Sequence, residues 1–154
     1  MKLSVIIPTH NRADILNICL EKLAQQQGVD FEVIVVDDGS VDDTEHVVAM
    51  TNAQLPLTKW CDMRYVKQKA SHQGVARNRG AAAAAGDIIV FIGDDIFVEP
   101  GFLMRHHDRH AEYPDEDVVV LGFTAGLDNY FVLRLFCIFL SGFLCRKYCN
   151  IWKQ

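Results

Sequence analysis

The chain has 154 residues and a net charge of −5, with half its residues hydrophobic and 23% charged. That is ordinary globular composition and enough mass for one buried core. The acidic balance excludes a nucleic-acid backbone as partner, since phosphate binding needs a basic face. The five cysteines, Cys19, Cys61, Cys137, Cys145 and Cys149, show no CxxC pair, so reduced thiols in a cytosolic protein are expected rather than a zinc site or a disulfide framework. The start, Met1 to Pro8, has neither a long apolar stretch nor a small-residue cleavage site, and no signal peptide is expected.

Short runs rich in Val and Ile recur along the chain with helical patterns between them. Ser4–Ile7 is the first expected strand, and Asn11 is placed to cap the following helix, with Asp14 three residues on. Ile15, Leu16, Cys19, Leu20 and Leu23 then fall on one helical face. Glu32–Val36 is the second strand, and Asp42 or Asp43 opens a second helix. Met63–Val66 is the third strand, followed by a helix from Gly74 to Ala85 with Gly86 as its stop. Ile88–Ile92 is the fourth strand, and Pro100 suits the first position of a helix reaching about Tyr113. Val118–Leu121 is a fifth strand. VIIP, VIVVDD and IIVFI are continuous rather than alternating, which marks strands covered on both faces. The expected fold is therefore α/β, an open and mostly parallel sheet with helices on both faces, built from right-handed crossovers.

In such sheets ligands bind outside the carboxyl ends of the strands. Three polar clusters fall there: Pro8-Thr9-His10-Asn11-Arg12, then Asp37-Asp38-Gly39-Ser40, then Gly93-Asp94-Asp95. Paired carboxylates closing an apolar strand must take up a proton or find a cation. Magnesium-like ions use one or two carboxylates together with substrate phosphates, so Asp94-Asp95 reads as a metal–diphosphate site. Turn or capping aspartates are the plainer alternative. Ser40, Asp42 and Thr44 suit local capping, which leaves Asp38 to accept hydrogen bonds from a base or ribose. In Lys67–Gly80, Gly74 opens a helix whose free N–H groups favour anions, and Arg77 supplies a charged donor, against a solvated basic first turn as the alternative. A receiver-type signalling domain also clusters acids at strand ends, but it needs a late lysine that Leu121-Gly122-Phe123 lacks.

These blocks together resemble the family 2 glycosyltransferases of the GT-A, Rossmann-like fold. VIIPTHN at Val5–Asn11, FEVIVVDDGSVDDT at Phe31–Thr44, QGVARNRGAAAAAGDIIVFI at Gln73–Ile92 and GDDIFVEPGFL at Gly93–Leu103 occur in the family's order. The resemblance covers about residues 3–123. It implies a nucleotide pocket lined by Pro8, Thr9, Asn11, Asp37 and Asp38, with Asp38 on the base. Gly74, Arg77 and Asn78 would lie near the ribose and phosphates. Asp95 would ligate Mg2+ or Mn2+ on the diphosphate, supported by Asp94. The implied activity is transfer of a sugar from a nucleotide-diphosphate sugar to an acceptor hydroxyl of a saccharide, lipid-linked or protein acceptor, with inversion. Such chemistry belongs to polysaccharide or glycoconjugate biosynthesis. Gly93 stands where the family often has the first acid of Asp-x-Asp.

The implied domains are residues 1–123, the nucleotide-sugar half, and 124–154, a helical hydrophobic tail on a fold truncated at its C-terminus. No catalytic base presents itself, Asp128 being the lone acid after Asp117. A non-catalytic nucleotide-sugar-binding remnant is the competing reading. Phe131 to Cys145 is apolar but interrupted by Arg134 and shorter than a spanning helix. Core or partner packing is one reading of it, and peripheral contact of 131–147 with the cytoplasmic membrane face is another. His106 and His110 sit one helical turn apart and are read as a solvated face rather than a zinc site.

Overall fold

The structure is a computed structural model, and it describes residues 1–54, 61–115, 118–122 and 137–139. Two compact units divide the chain, Met1–Met104 and Arg105–Gln154.

The first unit holds β1 (Leu3–Thr9), α1 (Ala13–Ala24), β2 (Phe31–Asp37), α2 (Thr44–Gln54), β3 (Cys61–Lys67), α3 (Gln73–Ala83) and β4 (Ile88–Phe91). The strands form one sheet in the order β3-β2-β1-β4. Every pairing is parallel, with Leu3 opposite both Phe31 and Ile88, and Phe31 opposite Cys61. Chain order reverses at β1, so the crevice between β1 and β4 is the topological switch point where open sheets take their ligands.

Side chains alternate between the faces, and each face has its own cluster. Val5, Ile7, Val33 and Val35 pack with Leu16, Leu20 and Leu23 of α1, Val48 of α2 and Leu103. Ile6, Ile34 and Val36 meet Ala76 of α3 on the other face. Gly80 lets α3 approach closely, because a Cβ there would lie 2.4 Å from Ile6 Cγ2. The two central strands, β1 and β2, are buried along their whole length, as their continuous apolar runs predict. β4 departs from that expectation. It is an edge strand whose Ile89 and Phe91 are exposed, so only one of its faces is covered.

Several boundaries differ from the sequence reading for local reasons. The N-cap position of α1 is Arg12, with no side-chain cap from Asn11 or Asp14. The free amide of Ala13 is instead met by Asp42 Oδ2 at 3.0 Å, from the loop after β2. α3 stops at Ala83 because Ala84 turns extended (φ −66°, ψ 139°), not because Gly86 caps it. Gly86 serves a close approach instead, since a Cβ there would lie 2.8 Å from Lys2 O. Pro100 precedes the fourth helix, α4 (Phe102–Glu112), whose first turn begins with Phe102 N bonding Glu99 O at 3.1 Å.

In the second unit, β5 (Val118–Val120) pairs antiparallel with β6 (Cys137–Phe139). β5 therefore lies outside the parallel sheet, and Cys137–Phe139 is a strand where a helical tail was expected. A short apolar run of this kind fits either element by periodicity, and the pairing partner decides it. Asp128, Cys145, Cys149 and the rest of 131–147 lie outside the described residues. No helix among the described residues is long and apolar enough to cross a membrane.

Candidate nucleotide and metal site

At the carboxyl edge, β1 ends with Thr9, whose hydroxyl donates to Asp94 Oδ2 at 2.9 Å. The chain reaches Asp94 directly after β4, so this bond ties the two sides of the switch point together. Asp94 is buried, and its other oxygen accepts from Arg12 Nη1 at 2.8 Å. The same nitrogen reaches Asp95 Oδ2 at 3.3 Å, and Asp95 is half exposed at 52%. The two acids thus differ. Asp94 is fixed by the protein, whereas Asp95 faces outward with one guanidinium for company.

Asp95 leans over Gly93. A Cβ at Gly93 would lie 2.7 Å from Asp95 Oδ1, so any side chain at this position would push the carboxylate aside. Cys19 closes the site from below, its thiol donating to Ile96 O at 3.3 Å. Burial, then the charges of Asp94 and Asp95, push that thiol up to about 12, which makes it inert.

The second group of residues gathers around the end of β2. Asp37 points inward, fully buried, and accepts from Ser40 N at 2.7 Å and from the Tyr65 hydroxyl, with Lys67 Nζ at 3.8 Å. Asp38 Oδ1 accepts from Gln68 Nε2 and from Ser71 N, each at 2.8 Å. Burial alone would raise the Asp38 pKa, but the bonds from Gln68 and the Ser71 and His72 amides outweigh it and hold the carboxyl below its ordinary value. Asp38 is therefore ionised at neutral pH. The Gln68 amide orientation is set by this bond, and it leaves the buried Oε1 without a donor among the described residues.

Asn11 joins the first two loops. It takes a left-handed conformation (φ 51°), which asparagine tolerates better than most residues. Its amide donates to Ser40 Oγ at 2.9 Å, and its Oδ1 accepts from Val41 N at 2.8 Å. That second bond points Nδ2 at His10 Nε2, 3.0 Å away, while His10 Nδ1 donates to Asp38 O at 2.8 Å. His10 is thereby set as the Nδ1–H tautomer.

Gly39 completes the turn with φ +81°, and a Cβ there would meet the Ala70 backbone nitrogen at 2.8 Å. Both the backbone and the space demand glycine. Gly39→Ala should cost about 2–3 kcal/mol, from left-handed strain plus a backbone clash, read as a lowered urea midpoint. An unchanged midpoint would show that the loop relaxes freely.

Pro8 is buried at the end of β1, opposite Val36. Gly74, Arg77 and Asn78 lie partly buried on the first turns of α3, which runs on from His72. His72 itself sits at φ 77°, ψ 151°, a region almost reserved for glycine, with its amide on Asp38. Sequence reasoning placed His10 and Arg12 in the polar cluster after β1 but gave neither a partner, and it gave Gln68 no role. Arg12 and Gln68 act on residues 82 and 30 positions away, so no local spacing reveals them. His106 and His110 are pushed below the ordinary histidine value, His106 by burial first, and no metal-holding group of three or more His, Cys, Asp or Glu forms among the described residues.

A parallel β3-β2-β1-β4 sheet with helices on both faces matches the GT-A glycosyltransferase fold. The chain belongs to glycosyl transferase family 2, whose profile matches residues 4–142. It is 38% identical over 130 residues to validoxylamine A glucosyltransferase of Streptomyces hygroscopicus subsp. jinggangensis, covering 82% of this chain and 29% of that one. It is 35% identical over 119 residues to a PGL/p-HBAD biosynthesis glycosyltransferase of Mycobacterium tuberculosis, covering 75% of this chain and 44% of that one. Among solved structures it is similar to S. aureus TarS 1-349 in complex with UDP (TM-score 0.72, 26% identity, 87% of this chain, 38% of that one). It is also similar to glucosyl-3-phosphoglycerate synthase of Mycobacterium tuberculosis with Mn2+, UDP and glucosyl-3-phosphoglycerate (TM-score 0.53, 30% identity, 67% of this chain, 37% of that one). The chain thus spans less than half the length of each of these relatives.

Proposed function

We propose that this chain supplies the donor-binding half of a metal-dependent, inverting glycosyltransferase that uses a nucleotide-diphosphate sugar and an acceptor hydroxyl. The observation that carries the reading is the division of labour along one edge. Asp38 is held ionised at the end of β2, and Asp95 stands exposed after β4, on the far side of the β1 switch point.

Asp38 would accept from the base or ribose, with Asp37 holding the turn beneath it and Pro8, Thr9 and Asn11 lining the wall between base and phosphates. Gly74, Arg77 and Asn78 would border the ribose and phosphates from α3. The oxygen donors of Asp94 and Asp95 suit Mg2+ or Mn2+. Among the described residues too few acids gather to hold such an ion unaided, so phosphate and water would complete its shell. When bound, the ion supplies Lewis-acid stabilisation of charge on the departing diphosphate. The protein's own part is to fix the diphosphate against Asp95, hold Asp94 through Thr9 and Arg12, and keep the base end anchored at Asp38. The UDP-bound and Mn2+-bound relatives support this reading.

A cytoplasmic location fits the free thiols of Cys19 and Cys61.

Calorimetry with UDP and with GDP, in Mn2+ and then in excess chelator, tests the proposal. Binding is expected with Mn2+ and should weaken by at least tenfold in chelator. Equal binding in both would defeat the metal assignment. Nucleotide release from a panel of sugar donors then separates turnover from binding alone.

A further inference from the structure

Arg12 occupies the position that a cation bridging the two acids would contest. One nitrogen, Nη1, lies 2.8 Å from Asp94 Oδ1 and 3.3 Å from Asp95 Oδ2. Arg12 is fixed at its root, because its carbonyl accepts the first α1 bond from Leu16 N at 2.9 Å. Its side chain is 43% exposed and so has room to turn outward. Thr9 already fills the remaining oxygen of Asp94. A metal arriving alone would therefore have to take Asp95 from the guanidinium and sit beside its positive charge, which disfavours it.

We propose that Arg12 is a built-in counter-ion that makes metal binding conditional on the nucleotide diphosphate. The inference rests on the metal–nucleotide reading above and deepens it. A diphosphate brings more negative charge than one divalent ion cancels, so the same guanidinium that repels the bare ion attracts the ion–diphosphate pair. Planar, permanently charged arginine suits the exchange, since its fork can leave a carboxylate for phosphate oxygens without losing its proton. Metal and nucleotide then bind cooperatively, and the coupling is reciprocal.

The test measures Mn2+ binding by electron paramagnetic resonance of the free ion, and UDP binding by calorimetry, on wild type, Arg12→Gln and Arg12→Lys. Without nucleotide, Arg12→Gln should bind Mn2+ at least tenfold tighter than wild type, because the competing charge is gone. At saturating Mn2+ it should bind UDP at least tenfold more weakly. Arg12→Lys keeps the charge and should stay as weak as wild type toward Mn2+ alone, which also controls for damage to the fold. Equal Mn2+ affinity in wild type and Arg12→Gln would overturn the counter-ion role while leaving the nucleotide reading intact. Failure of wild type to bind UDP with Mn2+ would instead overturn the underlying reading.

Discussion

Asp95→Ala should abolish metal-dependent nucleotide binding while leaving the fold untouched. Loss of residues that merely orient a metal's ligands typically costs 10–100-fold in affinity, so loss of the exposed carboxylate itself should cost more than about 100-fold. Asp95 is half exposed and bonded only through Arg12 among the described residues, so its removal should change stability by no more than about 0.5 kcal/mol. The neighbouring substitution should behave differently. Asp94→Ala strips both the Thr9 hydroxyl and Arg12 of a buried acceptor, and stability should fall by about 1–3 kcal/mol along with binding. Calorimetry with UDP and Mn2+, beside a urea titration of each variant, reads both quantities. An Asp95→Ala protein that retains wild-type affinity would remove this residue from the metal site.

The second large effect lies at the opposite end of the sheet and concerns stability. Glu32, on β2, is almost fully buried, where an ionised carboxylate needs hydrogen-bonding partners. One of its oxygens accepts from Ser4 Oγ and Ala85 N, each at 2.6 Å, and the other is paired with Arg64. Ser4 Oγ in turn accepts from Gly86 N at 2.8 Å, so one carboxylate fastens β1, β2, β3 and the turn before β4. Glu32→Ala leaves these donors and a charge unsatisfied together, and should cost about 3–5 kcal/mol, a large share of a typical domain's stability.

Its pH dependence has a definite sign. Burial alone would raise the Glu32 pKa, yet the bonds from Ser4, Ala85 and Arg64 hold it below its ordinary 4.5. The folded state thus binds this proton less tightly than the unfolded chain. The contribution is complete above 4.5 and is lost as pH falls through the lower folded value. Wild type should therefore lose stability on acidification below that point, and Glu32→Gln should lose less, measured as urea midpoints from pH 3 to 7. Parallel curves for the two proteins would exclude Glu32 as a source of the acid sensitivity.

Much of the scaffold is legible from residue pattern. VIIP and VIVVDD are continuous apolar runs because β1 and β2 are central and covered on both faces. IIVFI reads the same way, but β4 lies at the edge and exposes Ile89 and Phe91. Nothing in a continuous run says whether a neighbouring layer exists on the second side, since hydrophobicity records compatibility with burial rather than burial itself. The fifth strand shows the same limit, because the run at Val118 fixes an extended segment and not its partner.

The candidate site divides in a similar way. Residue type and position after a strand were enough to place Asp38 and Asp94-Asp95 on the carboxyl edge, because parallel crossovers put all strand ends on one side. Capping logic found Asp42 but gave Asn11 a cap on α1 that it does not make, since Asn11 Oδ1 accepts from the loop amide of Val41 while Asp42 reaches across to the Ala13 amide, and bonds between loops are invisible to local spacing.

The sequence by itself determined the parallel sheet and the edge on which the acids fall, because these follow from periodicity and chain order, while the resemblance of four motif blocks pointed to the family. Only the tertiary structure decided that Asp94 is buried and held while Asp95 is exposed, and that Arg12 stands between them. Those two acids are adjacent and chemically identical in the chain. They differ only in what the fold packs around each, and no one-dimensional pattern carries that information.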